Sequence, residues 1–272
     1  MKVVEANGAR IPVVGLGTWS LRDDVCTAMV TEALRLGYRH IDTAAMYGNE
    51  EAVGEGLREA SVAREDIFLT TKVWPDDLAA KEFRRSTEAS LKKLKQSYVD
   101  LLLIHWPSRT VPLGETLEAM AAAKRDGLTR HVGISNFTVA LIEEGVKLSP
   151  EPLVVNQVEM HPYLDQSKVV SASRRHGLAV TAYSPIARGN SAGDKVLARI
   201  GKAHDKSAAQ VSLRYLVQQD IIIIPRTSKA ERLKENLDIF DFTLSEKETS
   251  EIKGLSRPDG RVVDPGVAPD WD

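Results

Sequence analysis

Short apolar runs recur eight times along the chain, each separated from the next by a stretch with helical spacing, and few folds accept that rhythm. The runs are VVGLGTW, RHIDTA, IFLTTKVW, VDLLLIHW, RHVGISN, LVVNQVEM, LAVTAYS and IIIIPR. They are β-branched or continuously apolar rather than alternating, which suits parallel strands covered on both faces. The stretches between them carry their own start and stop signals. Asp23 or Asp24 is placed to cap a helix with Val25, Met29, Ala33 and Leu36 on one face and Gly37 as its stop. The segment from Ala79 to Leu94 follows the same plan, with Phe83, Leu91 and Leu94 apolar among charges. Helical spacing over Glu115–Arg125 ends at Gly127, that over Asp165–His176 ends at Gly177, and Ser207 is placed to cap AAQVSLRYLVQQ.

Strand–helix units repeated in this way over roughly 250 residues make a (β/α)8 TIM barrel, within the α/β class, more economical than an open doubly wound sheet. The preceding VVEANGARIPVVG predicts a short N-terminal β-hairpin that turns at Asn7-Gly8 and plugs the barrel bottom. No Pro/Ser/Gly-rich linker divides the chain, so residues 1–272 are expected to form a single domain.

Composition then narrows the function. Lys+Arg 36 against Asp+Glu 38 leaves a net charge of −2, which offers no footprint for nucleic acid or an anionic membrane. A single cysteine, Cys26, excludes an internal disulfide and a Cys-rich metal site, and no metal is expected. The opening MKVVEANGARIPVVG lacks the apolar run of a signal peptide, and no stretch approaches the ~20 apolar residues of a membrane span. The expectation is a cytoplasmic, monomeric protein with a small-molecule substrate.

In a barrel, active sites sit where strands end. Asp42 follows the second strand, Lys72 lies near the end of the third, His105 ends the fourth, and Tyr47 falls just beyond the second in HIDTAAMYGNEE. Taken singly, Asp42 could cap a helix, Lys72 could snorkel outward and His105 could be a core residue. Together they place four ionisable groups on one end of neighbouring strands, where an unpaired buried charge is costly, and an Asp42–Lys72 pair beside Tyr47 and His105 accounts for them better. The pair also supplies chemistry. An isolated tyrosine, with a pKa near 10, is a sluggish proton donor at neutral pH. A cation beside its oxygen stabilises phenolate and is expected to lower that pKa; Lys72 can be the cation, with Asp42 keeping it charged and aimed. His105, as neutral imidazole, can orient a carbonyl oxygen toward Tyr47. No Gly-x-Ser-x-Gly elbow is present and Cys26 falls in the first helix, so another agent must attack the carbonyl carbon, and a hydride carrier is the natural candidate.

The spacing of Asp42, Tyr47, Lys72 and His105, with GLGTW before them and GISNF after, resembles the aldo-keto reductase superfamily from Gly15 to Asn236. The resemblance implies that these four residues form a catalytic tetrad and that NADPH is the cofactor. It further implies that Thr18 and Trp19 lie beside the cofactor, that Ser135, Asn136 and Gln157 hold the nicotinamide carboxamide, and that Tyr183, with Ser184 next to it in AYSP, stacks on the ring. In IIPRTSKAERLKEN it places Arg226, Thr227, Ser228 and Arg232 near the 2′-phosphate, and Glu235 and Asn236 near adenine. Many relatives have Lys-Ser where this chain has Arg226-Thr227, a change that keeps one cation and one hydroxyl.

Trp19, Trp74 and Trp106 follow the first, third and fourth strands and are expected, with His105, to line the substrate pocket. The loops PSRTVPLG and PIARGNSAGDK look short, which predicts an open pocket. The closing DGRVVDPGVAPDWD resembles bacterial 2,5-diketo-D-gluconate reductases of the B type, implying reduction of small dicarbonyls, keto sugars or methylglyoxal-like aldehydes to alcohols. A cofactor-sensing binding subunit with little turnover is the alternative, although no added interaction segment supports it. Other oxidoreductase plans fit poorly: GLGTWS lacks the third glycine of a dinucleotide fingerprint, none of the 6 tyrosines begins Tyr-x-x-x-Lys, and one cysteine is too few for a zinc dehydrogenase.

Overall fold

The computed structural model describes residues 2–272. A hairpin of β1 (Val3–Ala6) and β2 (Ala9–Pro12) opens the chain, with Asn7 (φ 43°) and Gly8 (φ 88°) both left-handed at its turn. That is the two-residue turn whose twist matches paired strands, and Gly8 adopts it without steric penalty. The larger sheet then runs in chain order through β3 (Leu16–Gly17), β4 (His40–Asp42), β5 (Phe68–Val73), β6 (Val99–Ile104), β7 (Thr129–Ser135), β8 (Leu153–Glu159), β9 (Ala179–Tyr183) and β10 (Ile222–Ile223), all parallel. A parallel bridge from Val14 to Ile223, with Gly15 N donating to Ile223 O at 2.8 Å, joins the last strand to the first and closes the barrel. The expected α/β barrel and its N-terminal hairpin are both present.

Helices α1 (Asp23–Arg35), α2 (Glu50–Glu59), α3 (Ala80–Leu94), α4 (Leu113–Arg125), α5 (Val139–Leu148), α6 (Ser167–Arg175), α7 (Lys195–Ala203) and α8 (Ala208–Val217) lie between successive strands, and α9 (Ala230–Leu237) and α10 (Glu246–Lys253) follow β10. Ser207 caps α8 as expected, with Gln210 completing a reciprocal capping box. The reading of α1 needs correction. Its N-cap is Arg22, neither aspartate caps it, and the buried face is Cys26, Val30, Ala33 and Leu34, whereas Val25 is 50% exposed. Apolar side chains occupy two adjacent rows of this helix, and packing on α2 selects the row one residue further along.

Two apolar layers follow. The outer one fills the space between strands and helices. The inner one holds Phe68, Leu101, Leu103, Val155 and Ile222 inside the barrel together with Ala6, Ala9 and Ile11 of the hairpin, so the hairpin does plug the bottom. Asn7 secures it by donating to Leu153 O (2.7 Å) and His176 O (3.1 Å) at the N-terminal rim. With apolar side chains packing the lower barrel, the polar strand ends have one place to converge, the C-terminal mouth. Among the described residues, no helix is long and apolar enough to cross a membrane.

Candidate active site

At that mouth β4 and β5 pair with Asp42 opposite Thr70, so Lys72 lies two residues further toward the rim. Lys72 is fully buried, and its three ammonium protons have three acceptors: Asp42 Oδ1 at 2.6 Å, Thr43 O at 2.8 Å and Tyr47 Oη at 3.3 Å. Asp42, 1% exposed, takes a second hydrogen bond on Oδ2 from Gln157 Nε2 at 2.8 Å, reaching across the mouth from β8. A buried ion pair is tolerated only when its remaining lone pairs and protons are satisfied, and here each has a partner.

Asn49 holds Tyr47 in place. Residues Ala45–Tyr47 form one 3-10 turn, and Asn49, 3% exposed, pins it by donating to Thr18 O and Leu21 O and accepting from Thr43 Oγ1. Arg22 donates to Tyr47 O from the loop after β3. Neither Asn49 nor Arg22 was singled out from sequence; the signal lay in the polar YGNE that separates Tyr47 from α2. Thr18 braces the same region, its Oγ1 donating to Asp42 O at 3.0 Å.

Aromatic rings surround the phenol. The rings of Trp19 and His105 lie edge-on to Tyr47 with centroids 5.0 and 5.6 Å away, and Trp74 lies edge-on to His105 at 5.1 Å. Trp19 is 43% exposed, Trp74 half-buried and Trp106 buried, so the three expected indoles do share one rim.

Burial governs the protonation states. It pushes the Tyr47 phenol well above its ordinary range, and the Asp42 charge adds to the rise. The expected lowering by Lys72 therefore does not prevail in the resting site, and Tyr47 keeps its proton at neutral pH. That is the form a proton donor needs. Burial also lowers Lys72, with Asp42 opposing the effect. His105 is held well below its usual value by burial first and Lys72 second, so its imidazole is neutral as expected. Its Nδ1 is buried with no hydrogen-bond partner among the described residues.

A second cluster adjoins the first. β7 and β8 shift register between Val132 and Ile134 and then pair Ser135 with Gln157, an irregularity that re-aims a strand end. Ser135 Oγ donates to Gln157 O (2.7 Å), Asn136 Nδ2 to His105 O (2.9 Å), and Tyr183 Oη to Asn136 Oδ1 (2.8 Å). Asn136 (φ 65°) and Ser184 (φ 50°) are left-handed, a conformation uncommon outside glycine and frequent at functional strand ends. The structure thus brings Ser135, Asn136, Gln157, Tyr183 and Ser184 together and ties them to the tetrad through Gln157 and His105.

Beyond β10, Arg226, Ser228, Arg232 and Glu235 are exposed, and Thr227 is buried with its hydroxyl accepting from Lys229 N at 3.0 Å. Arg226, Lys229 and Arg232 take no ion pair among the described residues. Lys229 is a cation that the sequence reading did not include. Asn236 differs from its neighbours: it is on the buried face of α9, the helix whose Leu233 O accepts from the Tyr38 phenol at 3.0 Å.

Residues 257–272 form a strap against the β6–β8 side of the mouth, where Trp271 stands edge-on to Trp106 and Arg109 donates to Ala268 O. Glu159, fully buried at the end of β8, accepts from Val262 N and Val263 N of this strap.

Fold and site together define a barrel enzyme whose buried phenol can hand a proton to an oxygen. The sequence profile of the Aldo/keto reductase family matches residues 13–257. Methylglyoxal reductase DkgB of Escherichia coli O157:H7 is 42% identical over 265 residues, 96% of this chain and 99% of that protein. Glyoxal reductase of Bacillus subtilis (strain 168) is 40% identical over 257 residues, 94% and 92% of the two chains. A solved structure assigned as a candidate 2,5-diketo-D-gluconic acid reductase B superimposes with a TM-score of 0.98 at 47% identity, covering 100% of this chain and 98% of that one. The Bombyx mori aldo-keto reductase, solved in complex with NADP, gives a TM-score of 0.91 at 35% identity over 97% of this chain and 95% of its own. The chain belongs to the aldo/keto reductase family, and is an oxidoreductase acting on carbonyl groups.

Proposed function

We propose that this protein reduces small aldehydes and ketones to alcohols with NADPH, and that Tyr47 is the proton donor. The observation that carries the reading is the contact of Lys72 Nζ with Tyr47 Oη at 3.3 Å, inside a site where the phenol is protonated and the imidazole neutral. NADPH, when bound, supplies the hydride for the carbonyl carbon. The chain's own residues handle the oxygen. His105 and Tyr47 line the same small volume, so a carbonyl oxygen between them is oriented by the imidazole and faces the phenol proton. As negative charge grows on that oxygen, the proton leaves Tyr47, and Lys72 stabilises the phenolate left behind; Asp42, anchored by Gln157, keeps the ammonium in place. Burial of Asp42, Lys72 and Tyr47 strengthens each of these electrostatic effects.

The residues present fit the cofactor. The face of Tyr183, fixed through its hydroxyl to Asn136, offers a stacking surface for nicotinamide, and Gln157 keeps Oε1 as an acceptor for a carboxamide N–H. Arg226, Lys229 and Arg232 are exposed and uncommitted, as a dianionic 2′-phosphate requires, and Thr227 adds a hydroxyl. Glu235, exposed on α9, would meet the adenine amine, and Asn236 is buried on the same helix. The named activities of the relatives favour methylglyoxal, glyoxal and keto sugars such as 2,5-diketo-D-gluconate as substrates. The same reading takes the protein as a single-domain cytoplasmic monomer. Purified protein assayed on these carbonyls with NADPH and with NADH tests the proposal: turnover is expected with NADPH, and a preference for NADH or no turnover on any of them refutes it.

A further inference from the structure

Helix α9 carries Arg232 and Glu235 on its exposed side, and it is too short to hold them there by itself. Its 8 residues span about 12 Å, and an isolated helix of that length is marginal in water. Its buried side chains are Leu233 and Asn236, and its N-cap, Lys229, makes no side-chain capping bond. Its position is therefore set from outside, by α1 and α8, on which it packs. Tyr38, fully buried in the turn between α1 and β4, reaches it from 195 positions away in the chain, its hydroxyl donating to Leu233 O at 3.0 Å. Tyr38 is itself fixed, its N donating to Ala33 O at 3.0 Å around the left-handed Gly37 (φ 99°). Toward the other end of α9, Gln210 of α8 uses both halves of its amide. Oε1 accepts from Ser207 N at 2.9 Å to complete the α8 capping box, while Nε2 donates to Glu235 O at 3.2 Å and to Asp238 O at 2.8 Å. Lys206 adds a third tie, to Asp238 Oδ2 at 2.7 Å. Of the carbonyls so held, one belongs to the residue directly after Arg232 and one to Glu235 itself.

We infer that Tyr38 is a positioning residue for recognition of the 2′-phosphate, acting through Arg232, and that Gln210 is its counterpart for adenine, acting through Glu235. The inference rests on the NADPH reading of the same segment. A guanidinium fork holds a phosphate through directional, charge-assisted hydrogen bonds, so their strength depends on where the backbone that carries the fork stands. With Leu233 O tied to a buried phenol, the peptide next to Arg232 is fixed relative to the barrel, and the arginine meets the phosphate without first ordering its helix. When that tie is lost, the ordering cost falls on binding. It falls on NADPH alone, because NADH offers Arg232 no phosphate. The Glu235 contact serves the adenine amine that both cofactors carry, so loss of the Gln210 tie weakens them together.

The test is fluorescence titration with NADPH and with NADH of the unaltered protein, Tyr38→Phe, Arg232→Ala, the double variant Tyr38→Phe/Arg232→Ala, and Gln210→Glu. Tyr38→Phe keeps the ring in the core and removes one hydroxyl. It is expected to raise the NADPH Kd about two- to tenfold, the range that one intramolecular hydrogen bond spans, and to leave the NADH Kd unchanged. In the double variant NADPH should bind no more weakly than in Arg232→Ala alone, since Tyr38 has then lost the group it acts through. Gln210→Glu keeps the acceptor for Ser207 N, and with it the α8 capping box, but replaces the donor to α9; both Kd values should rise by a similar factor. A merely structural phenol would lower the thermal midpoint and leave the ratio of the two Kd values where it was. With NADPH preferred by the unaltered protein, an unchanged ratio in Tyr38→Phe, or a loss that adds in full to that of Arg232→Ala, overturns the role of Tyr38 and leaves the cofactor reading standing. Weakening of NADPH alone in Gln210→Glu overturns the role given to Gln210. An unaltered protein that binds NADH as tightly as NADPH overturns the cofactor reading and the inference with it.

Discussion

Replacing Lys72 by methionine separates what the buried pair does for the fold from what it does for the reaction. Methionine fills similar volume, so packing loss is small, but Asp42 is left 1% exposed with Gln157 as its remaining side-chain partner and no cation. Removing one member of a buried pair costs about 3–5 kcal/mol, because the other charge stays desolvated. Against a total stability of about 5–15 kcal/mol this is large and measurable. Adding Asp42→Asn to Lys72→Met removes the orphaned charge, and at least half of the lost stability is expected to return. Turnover should not return with it, since the cation beside Tyr47 Oη is still missing; a positioned proton donor is typically worth about 10²–10⁴ in rate. Urea unfolding followed by tryptophan fluorescence gives the stability arm, and NADPH oxidation with methylglyoxal gives the rate arm. A loss under about 1 kcal/mol in Lys72→Met would refute the buried-charge argument. Recovery of turnover together with stability in the double variant would refute the chemical role of the cation.

Acid should destabilise the protein before its carboxylates titrate. His40 and His105 are buried and both are lowered from their ordinary value, chiefly by burial, so below about pH 6.5 the unfolded chain binds protons that the folded chain refuses. Stability therefore falls beneath that pH, by up to about 1.4 kcal/mol per pH unit for each such histidine, the half-buried His131 adding to the slope; unfolding midpoints between pH 7 and 5 check this, and His105→Gln should make the slope shallower. Arg232→Ala should weaken NADPH binding about ten- to a hundredfold while leaving NADH binding nearly unchanged, because only the 2′-phosphate uses the contact. Fluorescence titration with each cofactor decides it, and equal losses would make Arg232 structural.

Periodicity and strand-end position carried most of the fold and the centre of the site. The strands were legible because a parallel barrel strand is buried on both faces and reads as an unbroken apolar run, and Asp42, Lys72 and His105 stood out as the ionisable groups that such runs should not contain. Elements were lost where local pattern leaves two choices open. The α1 face slipped by one residue because Val25 and Cys26, like Met29 and Val30, are neighbouring apolar positions and only the approach of α2 selects between them. The strap was illegible for a different reason. DGRVVDPGVAPDWD has no period, and its course depends on Glu159, 103 residues before Val262 in the chain, which reads as an ordinary charge at a strand end. Asn49 and Arg22 were missed likewise, since each acts by hydrogen-bonding backbone carbonyls, and no spacing rule announces that. The direction of the Tyr47 shift was misjudged because a sequence displays charged neighbours but not depth of burial, and in this site burial is the larger effect.

The central claim is that the Tyr47 hydroxyl delivers the proton, and Tyr47→Phe tests it most directly because it removes one oxygen and leaves the ring packed against Trp19 and His105. NADPH affinity and unfolding midpoint should be close to those of the unaltered protein, while turnover of methylglyoxal at saturating cofactor should fall by at least about a hundredfold. Near-normal turnover of methylglyoxal, or of an unactivated aldehyde assayed beside it, would contradict the account.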